Sequence, residues 1–535
     1  MALTRRNFLI NAGAVGAAAS MGLPFTAAQA QEGTITIALA ARAPAGVNPQ
    51  QSGLTGGDNW AIYQVFETLV RNPDGKFATR PEEFEPGLAE SWESSADAKV
   101  WTYKLRQGVQ FHKGYGEMTA DDVVFTYGRQ LDPEIVTAGK VQFANIESVE
   151  ASDPYTVVIT LKQPDPLLNG ATVSVMSASI MSRKAFEEKG EGYNTDPVAT
   201  GPFQVDSMTE QGGIALSAFP EYWGEPAATP KLNITFIADT TARTLAFASG
   251  QVDMIEGVRA PGWIQSMQQR SAETLFDMTK PGSFNFLHFN LTRAPLDDLR
   301  VRQAIRYAID NTALASAYGE QAAPMVGILA SQFEGSVTKE ELPEELQYNY
   351  DPEKAKALLA EAGHADGLTI PCYTSQREDY SAIMLMIQEQ LRTANITLDL
   401  SIIDHNAFHG DNRQDKNAMP LNSSSYGPAV MNVFLQQCSA AAVVKSDGTG
   451  QGNFSHYGVA IPGIDDLLTQ AQQEPDFDQR TALFKEMEKK LLTDLPMIGI
   501  MTLGYVIARN PRVDIGFPVE AGFAYWSLRK ATRTA

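Results

Sequence analysis

Alternation of apolar and polar positions sets the first elements. In Thr34-Ile35-Thr36-Ile37-Ala38-Leu39 the apolar side chains recur at every second position, which predicts a strand close to the start of the mature chain. Trp101, Tyr103 and Leu105 alternate in the same way with Thr102, Lys104 and Arg106, and Thr119 then precedes an apolar run with Asp121 and Asp122 in its first turn. That order predicts strand, turn and helix, with Thr119 as N-cap and both carboxylates at the positive end of the helix dipole. Val301, Ala304, Ile305, Ala308 and Ile309 share one helical face, an arrangement that leaves Arg300, Arg302, Arg306 and Asp310 facing outward. Asp351, Pro352 and Gly363 punctuate another helix as cap, first residue and exit. Residues 495–508 are nearly free of charge and rich in β-formers, so a buried strand is expected to return through the core where a crossing between lobes is needed. Strand and helix signals alternate without a fixed repeat, the pattern of mixed α/β lobes.

The N-terminus reads as an address. Thr4-Arg5-Arg6-Asn7-Phe8-Leu9, a mildly apolar stretch over 10–25 and Ala28-Gln29-Ala30 make residues 1–30 a twin-arginine signal cleaved near Ala30, with a periplasmic product. The longest later uncharged run, 417–444, is broken by Pro420, Asn422 and Pro428, so no membrane span is expected. With 42 basic and 63 acidic side chains the formal charge is −21, which argues against nucleic acid or anionic lipid as a partner. Roughly 500 mature residues exceed what one core organises, so two or three domains are expected. The only cysteines, Cys372 and Cys438, exclude a disulfide scaffold and a Cys-based zinc site, while a single bridge between them stays open.

Enzyme chemistry finds no footing. The sequence carries no HExxH, no Walker A pattern and no nucleophile elbow. Ser336-Val337-Thr338-Lys339 matches S-x-x-K, but neither S-D-N nor K-T-G accompanies it. His405 and His409 have the spacing of helical metal ligands beside Asp404 and Asp411, yet Asn406, Gly410 and Asn412 point to an exposed, loosely structured segment. His112 reads as a turn residue. No catalytic residue, metal or cofactor is therefore assigned.

Pro86-Gly87-Leu88-Ala89-Glu90-Ser91-Trp92, Trp101-Thr102-Tyr103-Lys104-Leu105-Arg106-Gln107-Gly108-Val109, Phe111-His112 and Thr119-Ala120-Asp121-Asp122-Val123 form a dense block. Thr200-Gly201-Pro202-Phe203, Tyr222-Trp223-Gly224 and Tyr350-Asp351-Pro352-Glu353 extend it. With these residues the chain resembles the extracellular solute-binding proteins of family 5 along nearly its whole mature length. The resemblance implies a two-lobed α/β periplasmic-binding-protein fold, type II with an extra subdomain, and two crossings between lobes. Lobe I is expected at 31–285 plus 505–535, with the subdomain at about 76–198, and lobe II at 286–504. It implies a monomer that encloses a small ligand and delivers it to the permease and ATPase subunits of an ABC importer.

The same resemblance proposes the site. In dipeptide-binding relatives an Arg after Gln holds the ligand carboxylate, and Gln376-Arg377 occupies that position here. A guanidinium fork suits a carboxylate through two parallel charge-assisted hydrogen bonds. Those relatives place an Asp four residues before a Pro to pair with the peptide ammonium, whereas Pro428 is preceded by Ser424. A buried ammonium without a counter-charge costs several kcal/mol. The implied ligand is thus a peptide or an amino-blocked or organic carboxylate, with Arg377 on the carboxylate and Ser424 and Tyr426 offering neutral hydrogen bonds. Asp58-Asn59-Trp60 falls in the loop that lines the cleft in related proteins, and Asp58 there could supply the missing negative charge.

Overall fold

Two long strands, Leu275–His288 and Met497–Arg509, lie antiparallel and side by side in the computed structural model of the chain. The described residues are 33–534 apart from 42, 55, 449, 451, 523 and 524, so the export signal expected over 1–30 lies outside them. Both strands are largely buried, as near-continuous apolar runs require. Their register breaks between Thr279 and Ser283. Gly282 has φ +71° at that break, and a Cβ there would collide with the Leu503 carbonyl oxygen. The crossing thus needs glycine, because only a bare backbone fits so close to its neighbour.

The lobes form on either side of this break. On one side 275–279 pair with 505–509, and the sheet continues through Met254–Glu256, Thr34–Leu39, Lys231–Phe236, Gly213–Ala218 and Phe203–Thr209. On the other side 283–288 pair with 497–503 and with Leu421–Ser425. The protein is two-lobed, with mixed helix and strand in each lobe and one sheet running across both. The late strand expected over 495–508 is one of the two crossings.

Each lobe has its own core. Ile35, Trp60, Tyr103 and Phe203 pack with Trp526 and Leu528 from the far end of the chain. Gln64 secures that return, donating to the Trp526 carbonyl at 2.8 Å and accepting from Leu528 N–H at 2.7 Å. A four-stranded antiparallel sheet of Ala89–Ser94, Val100–Leu105, Thr156–Leu161 and Ile146–Asp153 forms a subdomain on this core. Helix Ala120–Leu131 starts at a reciprocal cap between Thr119 and Asp122, as the sequence predicts. The second lobe gathers Val301, Ile305, Ile383, Leu398 and Ile500, with the parallel pair Leu368–Ser375 and Ile396–Ile403 against helix Glu378–Arg392.

Two expectations fail locally. Arg302 and Arg306, expected outward on helix Leu299–Tyr307, are both buried. Arg302 donates to the Leu296 carbonyl at 2.8 Å and to the Asp494 carbonyl at 2.9 Å, while Arg306 donates to the Ile309 carbonyl at 3.1 Å. Carbonyl acceptors make burial of these guanidiniums tolerable. The segment expected to be loose around His405 is instead helix His405–Arg413, because Asp404 caps the N–H groups of Asn406 and Ala407 and Phe408 anchors it in the core.

Candidate functional site

Between the lobes lies a cavity of about 430 Å³. Helix Gly56–Val65 sends Asn59 and Tyr63 into it from one lobe, one helical turn apart and so on one face. Helix Met431–Cys438 answers from the other lobe with Asn432 and Gln436 at the same spacing. Strand Leu421–Ser425 ends at the wall and delivers Ser425 and Tyr426. Gln51, Asn72, Gln142, Ser174, Ser177 and Tyr525 complete the polar lining, and no Asp, Glu, Lys, Arg or His is among the described residues that form it.

Tyr426 is the most constrained of these groups. Its ring packs on Phe284 at 5.5 Å, and its hydroxyl accepts from Gln437 Nε2 at 2.6 Å and donates to Gln436 Oε1 at 3.3 Å. Burial pushes its phenol up to about 12, so it remains a neutral hydrogen-bonding group at physiological pH. The cavity thus offers amides and hydroxyls, which suit uncharged polar atoms.

The residues named from sequence divide into three groups. Asn59 and Tyr426 line the cavity, whereas Ser424 is not in its lining and its neighbour Ser425 forms the wall. Asp58 and Trp60 turn the other way. Asp58 is fully buried and accepts from the Ala45 N–H at 2.8 Å, and Trp60 packs edge-on against Trp526 at 4.9 Å. Asp58 therefore serves a loop of its own lobe and does not supply negative charge to the cavity. Tyr63, Asn72, Gln142, Asn432, Gln436 and Tyr525 were not anticipated, although the i, i+4 pairs Asn59/Tyr63 and Asn432/Gln436 were readable signals.

Arg377 stands behind the wall. It flanks helix Glu378–Arg392 and donates to both oxygens of Asp379, from Nε at 3.0 Å and Nη2 at 2.8 Å. Arg259, from the opposite lobe, reaches the same carboxylate at 2.7 Å, donates to Ser283 Oγ at 2.9 Å and lies over the Tyr505 ring at 4.5 Å. Tyr505 in turn shares a 3.0 Å hydrogen bond with Ser425. Two guanidiniums thus share one carboxylate at this end of the cleft, with Glu378 next in the chain and Asp404 bonded to Gln376 at 3.3 Å.

Other candidate chemistry resolves plainly. His405 and His409 face each other edge-on at 4.5 Å, but no group of three or more His, Cys, Asp or Glu among the described residues could hold a metal. Burial and the neighbouring His405 push His409 down to about 4. His112 is buried and bonded at 2.9 Å to the Gly201 carbonyl, a structural role. The bridge left open between Cys372 and Cys438 is not formed: both thiols are free and belong to different cores. Burial pushes Cys372 up to about 12 and raises Cys438 well above its ordinary value.

Known proteins match this architecture. The family described as bacterial extracellular solute-binding proteins, family 5 Middle, matches residues 83–440. The dipeptide-binding protein of Escherichia coli (strain K12) is 32% identical over 352 residues, 61% of this chain and 63% of its own length. Di/tripeptide-binding protein 2 of Pseudomonas aeruginosa (strain UCBPP-PA14) is 27% identical over 508 residues, 89% of this chain and 90% of its own. The solved structure of the binding protein MoaA from A. tumefaciens R10, in complex with mannopinic acid, is 30% identical with a TM-score of 0.78, covering 94% of this chain and 100% of that one. No helix among the described residues is long and apolar enough to cross a membrane.

Proposed function

The chain belongs to the bacterial extracellular solute-binding proteins of family 5, and from that premise we propose that it is the periplasmic substrate-binding component of an ABC importer. Export by the twin-arginine route places it there, and the permease and ATPase subunits are its partners. With lobe I at 31–285 plus 505–535 and lobe II at 286–504, a ligand touching Asn59 and Tyr63 on one side and Tyr426 and Gln436 on the other stabilises the closed form. Its differential affinity for that form drives closure, and the transporter reads closure. No covalent step is required.

The ligand is a small amino-blocked or organic carboxylate in this reading. The observation that carries it is the uncharged lining of the interlobe cavity, which has no carboxylate to neutralise an ammonium. The guanidiniums of Arg377 and Arg259 near the Ser425 end are the groups a ligand carboxylate would meet. Among relatives, one is named for dipeptides and another was solved with mannopinic acid, so the family accommodates both kinds of ligand.

Thermal unfolding against free dipeptides, N-acetylated dipeptides, organic acids and sugars tests this. Ligand at a hundredfold above Kd adds about 2.7 kcal/mol. Stabilisation by blocked or non-amino carboxylates, with none by free dipeptides, is expected. A response to free dipeptides alone overturns it.

A further inference from the structure

We propose that the interlobe cavity continues into an apolar arm that holds a hydrocarbon tail, so that the ligand is an N-acylated small polar acid. This rests on the amino-blocked carboxylate reading above and extends it to the acyl group. A second cavity of about 400 Å³ lies between the subdomain and the second lobe. Gln142, Ala171, Pro428, Ala429 and Asn432 line both spaces, which makes them neighbouring chambers of one cleft.

The two chambers differ in chemistry. The first offers amides and hydroxyls, whereas Leu167, Val430, Leu435, Phe477 and Phe484 give the second an apolar wall. The charged groups of its lining have partners: Arg480 pairs with Asp165 at 2.9 Å and Lys162 donates to the Ala144 carbonyl at 2.7 Å within the lining, and Glu334 pairs with Arg80 at 3.5 Å. An apolar occupant there gains by leaving water, although Arg480 Nε and the Thr481 hydroxyl of the same lining are buried without a partner.

Three demands on one molecule then fall in sequence along the cleft. Arg259, stacked over Tyr505 that bonds Ser425, and Arg377 beside it are the cations a carboxylate would meet at one end. The neutral middle calls for amides or hydroxyls with no free amine. The arm beyond Pro428 and Asn432 calls for methylenes. A polar acid whose amine is closed by an acyl chain meets all three, because acylation removes the ammonium and adds the tail in one bond.

Calorimetric titration of the periplasmic protein with alanyl-serine carrying N-acetyl, N-butanoyl and N-hexanoyl groups, beside free alanyl-serine, decides the matter. Affinity should tighten up to about fourfold for each added methylene. Ala144→Trp, at an exposed position on the rim of the arm, and Leu435→Asn, on its wall, should flatten the series while the acetyl compound binds as before. Equal affinities across the wild-type series, with the acetyl compound still bound, overturn the arm and leave the blocked-carboxylate reading standing. Binding of free alanyl-serine without the acylated forms overturns that reading and the arm with it. A series in which no member binds overturns the N-acylated class.

Discussion

Two aspartates occupy the first turns of helices on opposite sides of the cleft, Asp58 in Gly56–Val65 and Asp379 in Glu378–Arg392, and they do opposite work. Asp58 accepts from the backbone N–H groups of Ala45 and Gly46, thirteen and twelve residues back in the same lobe. Asp379 accepts from Arg377 of its own lobe and from Arg259 of the other. One carboxylate fixes a loop. Its counterpart joins the lobes, so a charge near a cleft is informative only when its partners are known.

Removing Asp379 should produce the largest effect. Asp379→Ala leaves two guanidiniums facing each other across the lobe boundary, where loss of one partner of a buried pair costs about 3 kcal/mol. The expected outcome is a shift toward the open form, visible as a larger radius of gyration in solution scattering, and weaker binding of every ligand. An unchanged radius and unchanged affinity would show that Asp379 does not join the lobes.

Glu488 carries the Asp58 kind of contact to its limit. It is fully buried and accepts from the N–H groups of Ile328 at 2.9 Å and Leu329 at 2.7 Å, yet burial outweighs these donors and pushes its carboxyl up to about 7. Below about pH 4 both the folded and unfolded states hold the proton. Between there and about 7 the folded state binds more protons than the unfolded one, so this group's contribution falls as pH rises and is lost above that range. The ceiling is about 3 kcal/mol. Urea unfolding from pH 4 to 8 should show this slope in wild type relative to Glu488→Gln. A constant difference between the two proteins across that range would contradict it.

Asp58→Asn should cost less, about 1–2 kcal/mol, because the amide oxygen can still accept while the charge-assisted part is lost. Urea midpoints measure that cost, and ligand affinity of the folded protein should not change. A selective loss of affinity would place Asp58 in the ligand's reach after all.

Much of the scaffold was legible because short-range rules decide it: the Thr119 cap, the alternation at Trp101, Tyr103 and Leu105, and the Asp351–Pro352 start. Arg302 and Arg306 were misread because a helical wheel cannot show the carbonyls that receive them, Leu296 and Asp494 for Arg302 and Ile309 for Arg306. The His405 helix was misread because Asn and Gly lower its propensity, while the Asp404 cap and buried Phe408 outweigh them. Of the residues expected at the site, Asn59 and Tyr426 line the interlobe cavity, while on strand Leu421–Ser425 it is Ser425, next to the expected Ser424, that reaches the wall. Whether Asp58 faced a cleft or a loop depended on Ala45 and Gly46, a contact that no local pattern announces.

Arg377 offers the finest division of the two roles. Its side chain is half-exposed and shares Asp379 with the more deeply buried Arg259, so Arg377→Ala leaves the cross-lobe pair in place. Stability should then change by less than about 0.5 kcal/mol, as for other exposed pairs. Affinity for an N-acetylated dipeptide should fall about tenfold, because the guanidinium expected to meet the ligand carboxylate disappears. Arg377→Lys should recover only part of that loss, since an ammonium keeps the charge without the two-pronged hold on Asp379. Equal affinity in wild type and Arg377→Ala would assign the carboxylate to Arg259 alone, and Asp379 would then organise a single cation contributed by the opposite lobe.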